Sequence, residues 1–148
     1  VVAQARLWLG TPYHHQGRRR GAACDCIGLI LGVGRELGFK SLPSEKQMPP
    51  YTRIPHNHVA ERTADGYLVT VEGANARSAK PGQIGIFYWR DKGHGQHFCI
   101  FGWDDSAGRK TMIHAYQKLG MRVHEAGFSE FWQRRLLKVY DYKELASA

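Results

Sequence analysis

The distribution of hydrophobic periods along the chain predicts an α+β fold, with N-terminal helices packed on a mainly antiparallel sheet. Up to Leu37 the apolar residues recur at helical spacing. From Tyr67 onward they fall into short runs of β-formers separated by turn residues. Helices first and strands later favour segregated layers over alternating βαβ units, and 148 residues suffice for one core. We therefore expect one domain over residues 1–148, with no repeat and no Gly/Ser-rich linker dividing it.

Val1 to Leu9 reads as a short helix carrying Val2, Ala5, Trp8 and Leu9, stopped by Gly10 and by Pro12 just beyond. A loop from Thr11 to Ala23 follows, holding Tyr13, His14, His15 and the run Arg18, Arg19, Arg20. The second helix is expected over Cys26 to Leu37, because Ile27, Ile30, Leu31 and Leu37 share a face and Gly38 supplies the stop. Asp25 stands at its N-cap position. Gly28, Gly32 and Gly34 lower its propensity, which points to other backbone packing closely against it. Ser41 to Pro55 reads as an irregular surface excursion, and His56 to Thr63 as a short helix. Strands are expected at Tyr67–Val71, Ile84–Trp89, His97–Trp103, Thr111–Tyr116, Met121–His124 and Leu136–Tyr142.

Composition narrows the function classes. Lys and Arg exceed Asp and Glu by 21 to 13, giving a formal charge of +8 and favouring anionic partners. No apolar run approaches the length of a membrane span, and Gln4 and Arg6 interrupt the N-terminus where a signal peptide needs apolar residues. Three cysteines, Cys24, Cys26 and Cys99, argue against a disulfide framework.

Cys26 stands in the first turn of the second helix, where unpaired N–H groups and the helix dipole favour a thiolate and can receive an oxyanion. Between His97 and His114 lies the turn-forming cluster Asp104 to Gly108. A symmetric hairpin there sets His97 opposite His114 and Cys99 opposite Met112, with both imidazoles on one face. Nucleophile, base and orienting group are then all available for covalent catalysis.

Gly10-Thr11-Pro12-Tyr13, Cys24-Asp25-Cys26-Ile27-Gly28-Leu29-Ile30, Pro81-Gly82-Gln83-Ile84-Gly85-Ile86-Phe87, His97-Phe98-Cys99-Ile100-Phe101 and Ile113-His114-Ala115 occur in that order. This series, spanning nearly the whole chain, resembles the ordered motifs of the NlpC-type cysteine peptidases. Arg6 to Gln16 and Ile113 to Tyr116 are most similar to the branch encoded by phages and gene transfer agents. The resemblance implies a papain-like α+β core and hydrolysis of peptidoglycan stem peptides, commonly at the γ-D-glutamyl-diamino acid bond. It implies Cys26 as nucleophile, His97 as base and His114 as the third polar residue, with Tyr13 near the thiolate or oxyanion. Asp25 matches the acidic residue before the nucleophile, open to capping or to substrate-amine recognition. Ile27 departs from the Ser of many members, so substrate preference is expected to differ. No metal or cofactor is implied. The implied partners are peptidoglycan and tail or baseplate proteins of a phage-like particle. The chain would be made in the bacterial cytoplasm, carried in the tail and act at the wall.

Rival readings start from different residues. Cys24, Cys26, His97 and Cys99 are thiolate and imidazole zinc donors, but their spacing fits no common zinc module, and Cys24 and Cys99 read as small packing residues. Arg18 to Arg20 suggest nucleic acid, without a supporting motif; next to the nucleophile they equally suit peptidoglycan carboxylates or a docking partner. An amidase or acyl-transfer enzyme using the same Cys and His, or a catalytically silent tail component, would also fit the resemblance. His14, His15, His56, His58, His94 and His124 read as surface or loop residues.

Overall fold

In a computed structural model, residues 1–104, 106–116 and 121–146 are described. Helix α1 (Val2–Arg6) leads into a two-stranded ribbon of β1 (Arg18–Arg19) and β2 (Ala23–Cys24), then α2 (Cys26–Glu36) and α3 (Val59–Tyr67). The strands β3 (Leu68–Thr70), β4 (Ile84–Phe87), β5 (His97–Asp104), β6 (Arg109–Tyr116), β7 (Arg122–Gly127) and β8 (Leu136–Tyr142) form one sheet. A single-turn helix α4 (Glu130–Gln133) precedes β8. The sheet order is β3-β8-β4-β5-β6-β7, and every neighbouring pair is antiparallel. The expected architecture of helices on an antiparallel sheet is what the chain adopts.

The helices form for local reasons. Asp25 caps α2 by accepting the Gly28 N–H at 2.7 Å, and α2 buries Leu29, Ile30, Leu31 and Val33 against the sheet. Its glycines mark close approaches. A Cβ on Gly28 would lie 1.9 Å from the Gly17 carbonyl oxygen, and one on Gly32 would lie 2.2 Å from the Trp8 ring. Trp8 is buried between α1 and α2, and its Nε1 donates to Glu36 at 2.7 Å. The Tyr142 hydroxyl donates to the Ile30 carbonyl at 2.7 Å, tying α2 to the last strand. One core lies between α2 and the sheet, centred on Leu29, Ile84, Ile100, Ile113 and Tyr140. The opposite sheet face packs Phe87, Phe101, Met112 and Phe128 with Trp132 of α4.

Several sequence expectations shift. α1 ends at Arg6, and turns bridge the rest of the expected helix to Gly10. The expected helix at His56 begins at Val59 and runs to Tyr67, because Pro55 and the left-handed Asn57 and His58 hold the preceding backbone out of helix. The loop expected over Thr11 to Ala23 contains the β1–β2 ribbon, and α4 lies where no helix is expected. The hairpin register is also corrected. Phe101 pairs with Met112 and Ile100 with Ile113, so Cys99 does not face Met112 and His97 does not face His114. Asp104 pairs with Arg109, and Gly108 at φ +65° closes the turn one residue later than a symmetric centre would. Every partner thus moves by two positions, which preserves the face. Asp105 of the expected turn lies outside the described residues.

Candidate active site

Cys26 is the first residue of α2, and the backbone N–H groups of Phe98, Ile27 and Cys26 itself lie near enough to its sulfur to favour the thiolate. The first of these belongs to β5, immediately after His97, so the capped helix end and the start of the strand meet at the sulfur. His97 Nε2 and His114 Nδ1 are 2.7 Å apart, a diagonal contact across β5 and β6. Among the described residues Cys26 and His97 are not hydrogen-bonded to each other, and which of the two imidazoles donates in the His97–His114 pair depends on the tautomer; a proton-accepting Nδ1 on His97 requires its Nε2 to carry the hydrogen given to His114.

Both histidines are buried, His97 at 6% and His114 at 1% exposure. Trp132 stacks on His97 with ring centroids 4.9 Å apart, and Tyr116 stacks on His114 at 5.4 Å. Burial pushes His97 down to about 3, with the His124 imidazole adding to the fall. His114 is held well below its ordinary value by burial, His97 and His124. Burial drives the Cys26 thiol up to about 12, the Asp25 carboxylate reinforces it, and the three N–H groups offset only part. Desolvation thus works against the helix-end thiolate expected from sequence, and burial likewise favours the neutral imidazole of His97.

Asp25 is 3% exposed and its carboxylate is engaged by three donors, with His15 Nδ1 at 3.9 Å from Oδ2. Its Oδ1 accepts Gly28 N–H, and Oδ2 accepts Gln16 N–H at 2.7 Å and the Tyr51 hydroxyl at 2.6 Å. Of the two roles left open by the sequence, the geometry displays the cap. Tyr13 joins the same cluster: it bridges to Cys24, and burial with the Cys26 and Asp25 charges raises its phenol to about 12. Cys24 and Cys99 are fully buried among apolar residues. Among the described residues no three His, Cys, Asp or Glu side chains converge as a metal set, and no helix is long and apolar enough to cross a membrane.

Other residues sit closer to this centre than the sequence indicates. His124, expected at the surface, pairs with His114 across β6 and β7, ring centroids 4.5 Å apart. The alternation of β7 is the signal that finds it. Gln96 precedes His97 and its Oε1 accepts the N–H groups of Trp89, Arg90 and Asp91 at 2.9, 2.7 and 3.1 Å, fixing the entry to β5. Tyr51, in the segment read as an excursion, reaches Asp25. His94 stacks on His58 at 4.4 Å. Beside the site an apolar cavity of about 370 Å³ lies between α2, α3 and the Pro-rich segment; Ile27 and Phe98 line it, while Cys26 and His97 do not.

No family model and no curated protein sequence matches the chain. Solved structures do. The chain is similar to a lipoprotein-like protein of the NLP/P60 family from Staphylococcus aureus, at 18% identity and a TM-score of 0.59, covering 95% of this chain and 39% of that one. It is also similar to the NlpC/p60 domain of the peptidoglycan hydrolase SagA, at 21% identity and a TM-score of 0.55, covering 95% of this chain and 94% of that domain. The chain spans well under half of the staphylococcal protein and nearly the whole of the SagA domain, and its fold is that of the NlpC/P60 domains.

Proposed function

We propose that the chain is a cysteine-type peptidoglycan hydrolase cutting wall stem peptides, with Cys26 as nucleophile, His97 as base and His114 as orienting residue. The observation that carries this is the meeting of the Cys26 thiol with the His97 strand, where His97 is itself held by His114 at 2.7 Å. The NlpC/P60 fold and the SagA domain among its neighbours support the substrate class.

In this reading His97 Nδ1 takes the thiol proton as sulfur attacks the amide carbonyl carbon. In the same reading the backbone N–H groups near the Cys26 sulfur receive the developing oxyanion, and Tyr13, whose phenol shares the electrostatic surroundings of Cys26, assists. Collapse breaks the C–N bond, and the His97 proton goes to the leaving amine. His97 then draws a proton from water, which attacks the thioester, and the thiol is restored. The γ-D-glutamyl-diamino acid bond is the preferred target, and Ile27 with the adjoining apolar cavity alters preference beyond the bond. Digestion of purified peptidoglycan, with fragment masses read for wild type and Cys26→Ala, tests both reaction and bond.

Carriage by the tail of a phage-like particle is the finer part of the proposal. It rests on the similarity of Arg6 to Gln16 and Ile113 to Tyr116 to that branch. Immunodetection of the chain in purified particles tests it; presence only in the soluble lysate contradicts it.

A further inference from the structure

An acidic residue beside a nucleophile would ordinarily attract a cationic group, but Asp25 is already satisfied by three donors. The cationic side chains of the same rim are in the opposite condition. Arg18 lies on β1 opposite Cys24, next to Gly17, whose carbonyl packs onto the first turn of α2. The Arg18 Nε is buried with no hydrogen-bond partner. A buried donor left unpaired is costly, and because Arg18 as a whole is only half-buried, the exposed part of its side chain is open to an acceptor from outside. The same stretch is tied to the N-cap of α2, since Gln16 Nε2 donates to the Tyr51 carbonyl at 2.9 Å while the Tyr51 hydroxyl reaches Asp25.

Arg53, exposed two residues beyond Tyr51, adds a second guanidinium. Neither arginine forms an ion pair among the described residues, whereas Arg20 pairs with Glu36 at 3.1 Å. Arg18 partly offsets the rise of the Tyr51 phenol and Arg53 that of Tyr13, and both phenols also sense Cys26. The two cations and the nucleophile therefore share one electrostatic neighbourhood.

We propose that Arg18, with Arg53 at the rim, forms an anion subsite beside Cys26 that reads a substrate carboxylate near the scissile bond. The guanidinium fork matches a carboxylate in two parallel hydrogen bonds. The subsite thus selects acidic groups over amine-bearing ones. This rests on Cys26 as the nucleophile of the proposed hydrolase and adds the chemistry that selects its substrate.

The test uses maleimides bearing carboxylate tails of increasing length, each paired with its primary amide, as labels for Cys26 in the full chain. The readout is the carboxylate-to-amide ratio of labelling rates, with the site assigned by mass spectrometry. We expect a ratio of about tenfold or more at the tail length that reaches Arg18. That preference falls to near one in Arg18→Gln, is partly restored in Arg18→Lys and is weakened in Arg53→Gln. A ratio near one at every length, a preference unchanged in Arg18→Gln, or no labelling of Cys26 overturns the subsite. Peptidoglycan digestion by the same preparations separates the two readings: turnover with a flat ratio refutes the subsite alone, and a steep ratio without turnover refutes the hydrolase alone.

Discussion

Cys26 and His97 are both held neutral, one with its thiol raised to about 12 and the other with its imidazole lowered to about 3. A base that is neutral far below pH 7 and a thiol that ionises far above it give general-base attack, with no preformed ion pair. The expected kcat/KM is level through the neutral range, with limbs only toward those two values. A bell narrowly centred near pH 7 would instead show a thiolate–imidazolium pair. Cys26→Ala should abolish turnover with the fold retained by circular dichroism. On the proposed mechanism His97→Ala should cost about 10²- to 10⁴-fold in kcat, and His114→Ala less, since its proposed part is to orient the base rather than to touch a reacting atom. Equal losses in both histidine variants would contradict the orienting role. That Cys26 begins a capped helix and that His97 and His114 come together on one sheet face was legible, because the cap, the period and the strand alternation are local sequence facts. His124, Gln96 and Tyr51 were not, because each acquires its place through cross-strand pairing or a loop that returns over α2.

At the scale of elements, the site depends on the first turn of α2 lying against the segment before it. Gly28→Ala forces a methyl onto the Gly17 carbonyl, so a loss of about 1–3 kcal/mol in chemical denaturation is expected, with activity falling as Cys26 shifts. Unchanged stability would mean that Gly17 yields freely. The helix itself was readable from its period, its Asp25 cap and the Gly38 stop. The β5–β6 register was not, because the turn chemistry of residues 104–108 does not settle which residue closes the loop. The two-residue shift left both imidazoles on one face, which is why the pairing of His97 with His114 survived a wrong register. The β1–β2 ribbon and α4 were hidden by length, since two-residue strands and a single helical turn leave no period to detect.

Across the whole molecule, one sheet serves two cores, and the buried His97 stacks on Trp132 of the second. This burial has a pH cost. His97 takes its proton near pH 6.5 in the unfolded chain but only near 3 in the folded one, so the unfolded state binds more protons between those values. Stability contributed by the neutral ring is complete above pH 6.5 and is lost as pH falls toward 3; His114 acts in the same direction. The melting temperature should therefore drop on acidification through this window, and drop less in His97→Phe. Equal slopes would place the acid sensitivity elsewhere. The overall architecture was legible because helical and strand periods are segregated along the chain, whereas the second core on the far sheet face is visible only in three dimensions.

The most direct measurement of the central claim is the mass spectrum of fragments released from purified peptidoglycan by wild-type chain and by Cys26→Ala, side by side. Stem-peptide fragments from wild type alone, with masses fixing the bond, are the predicted result. Equal release by both proteins, or none by either, would contradict Cys26 as the nucleophile of a wall hydrolase.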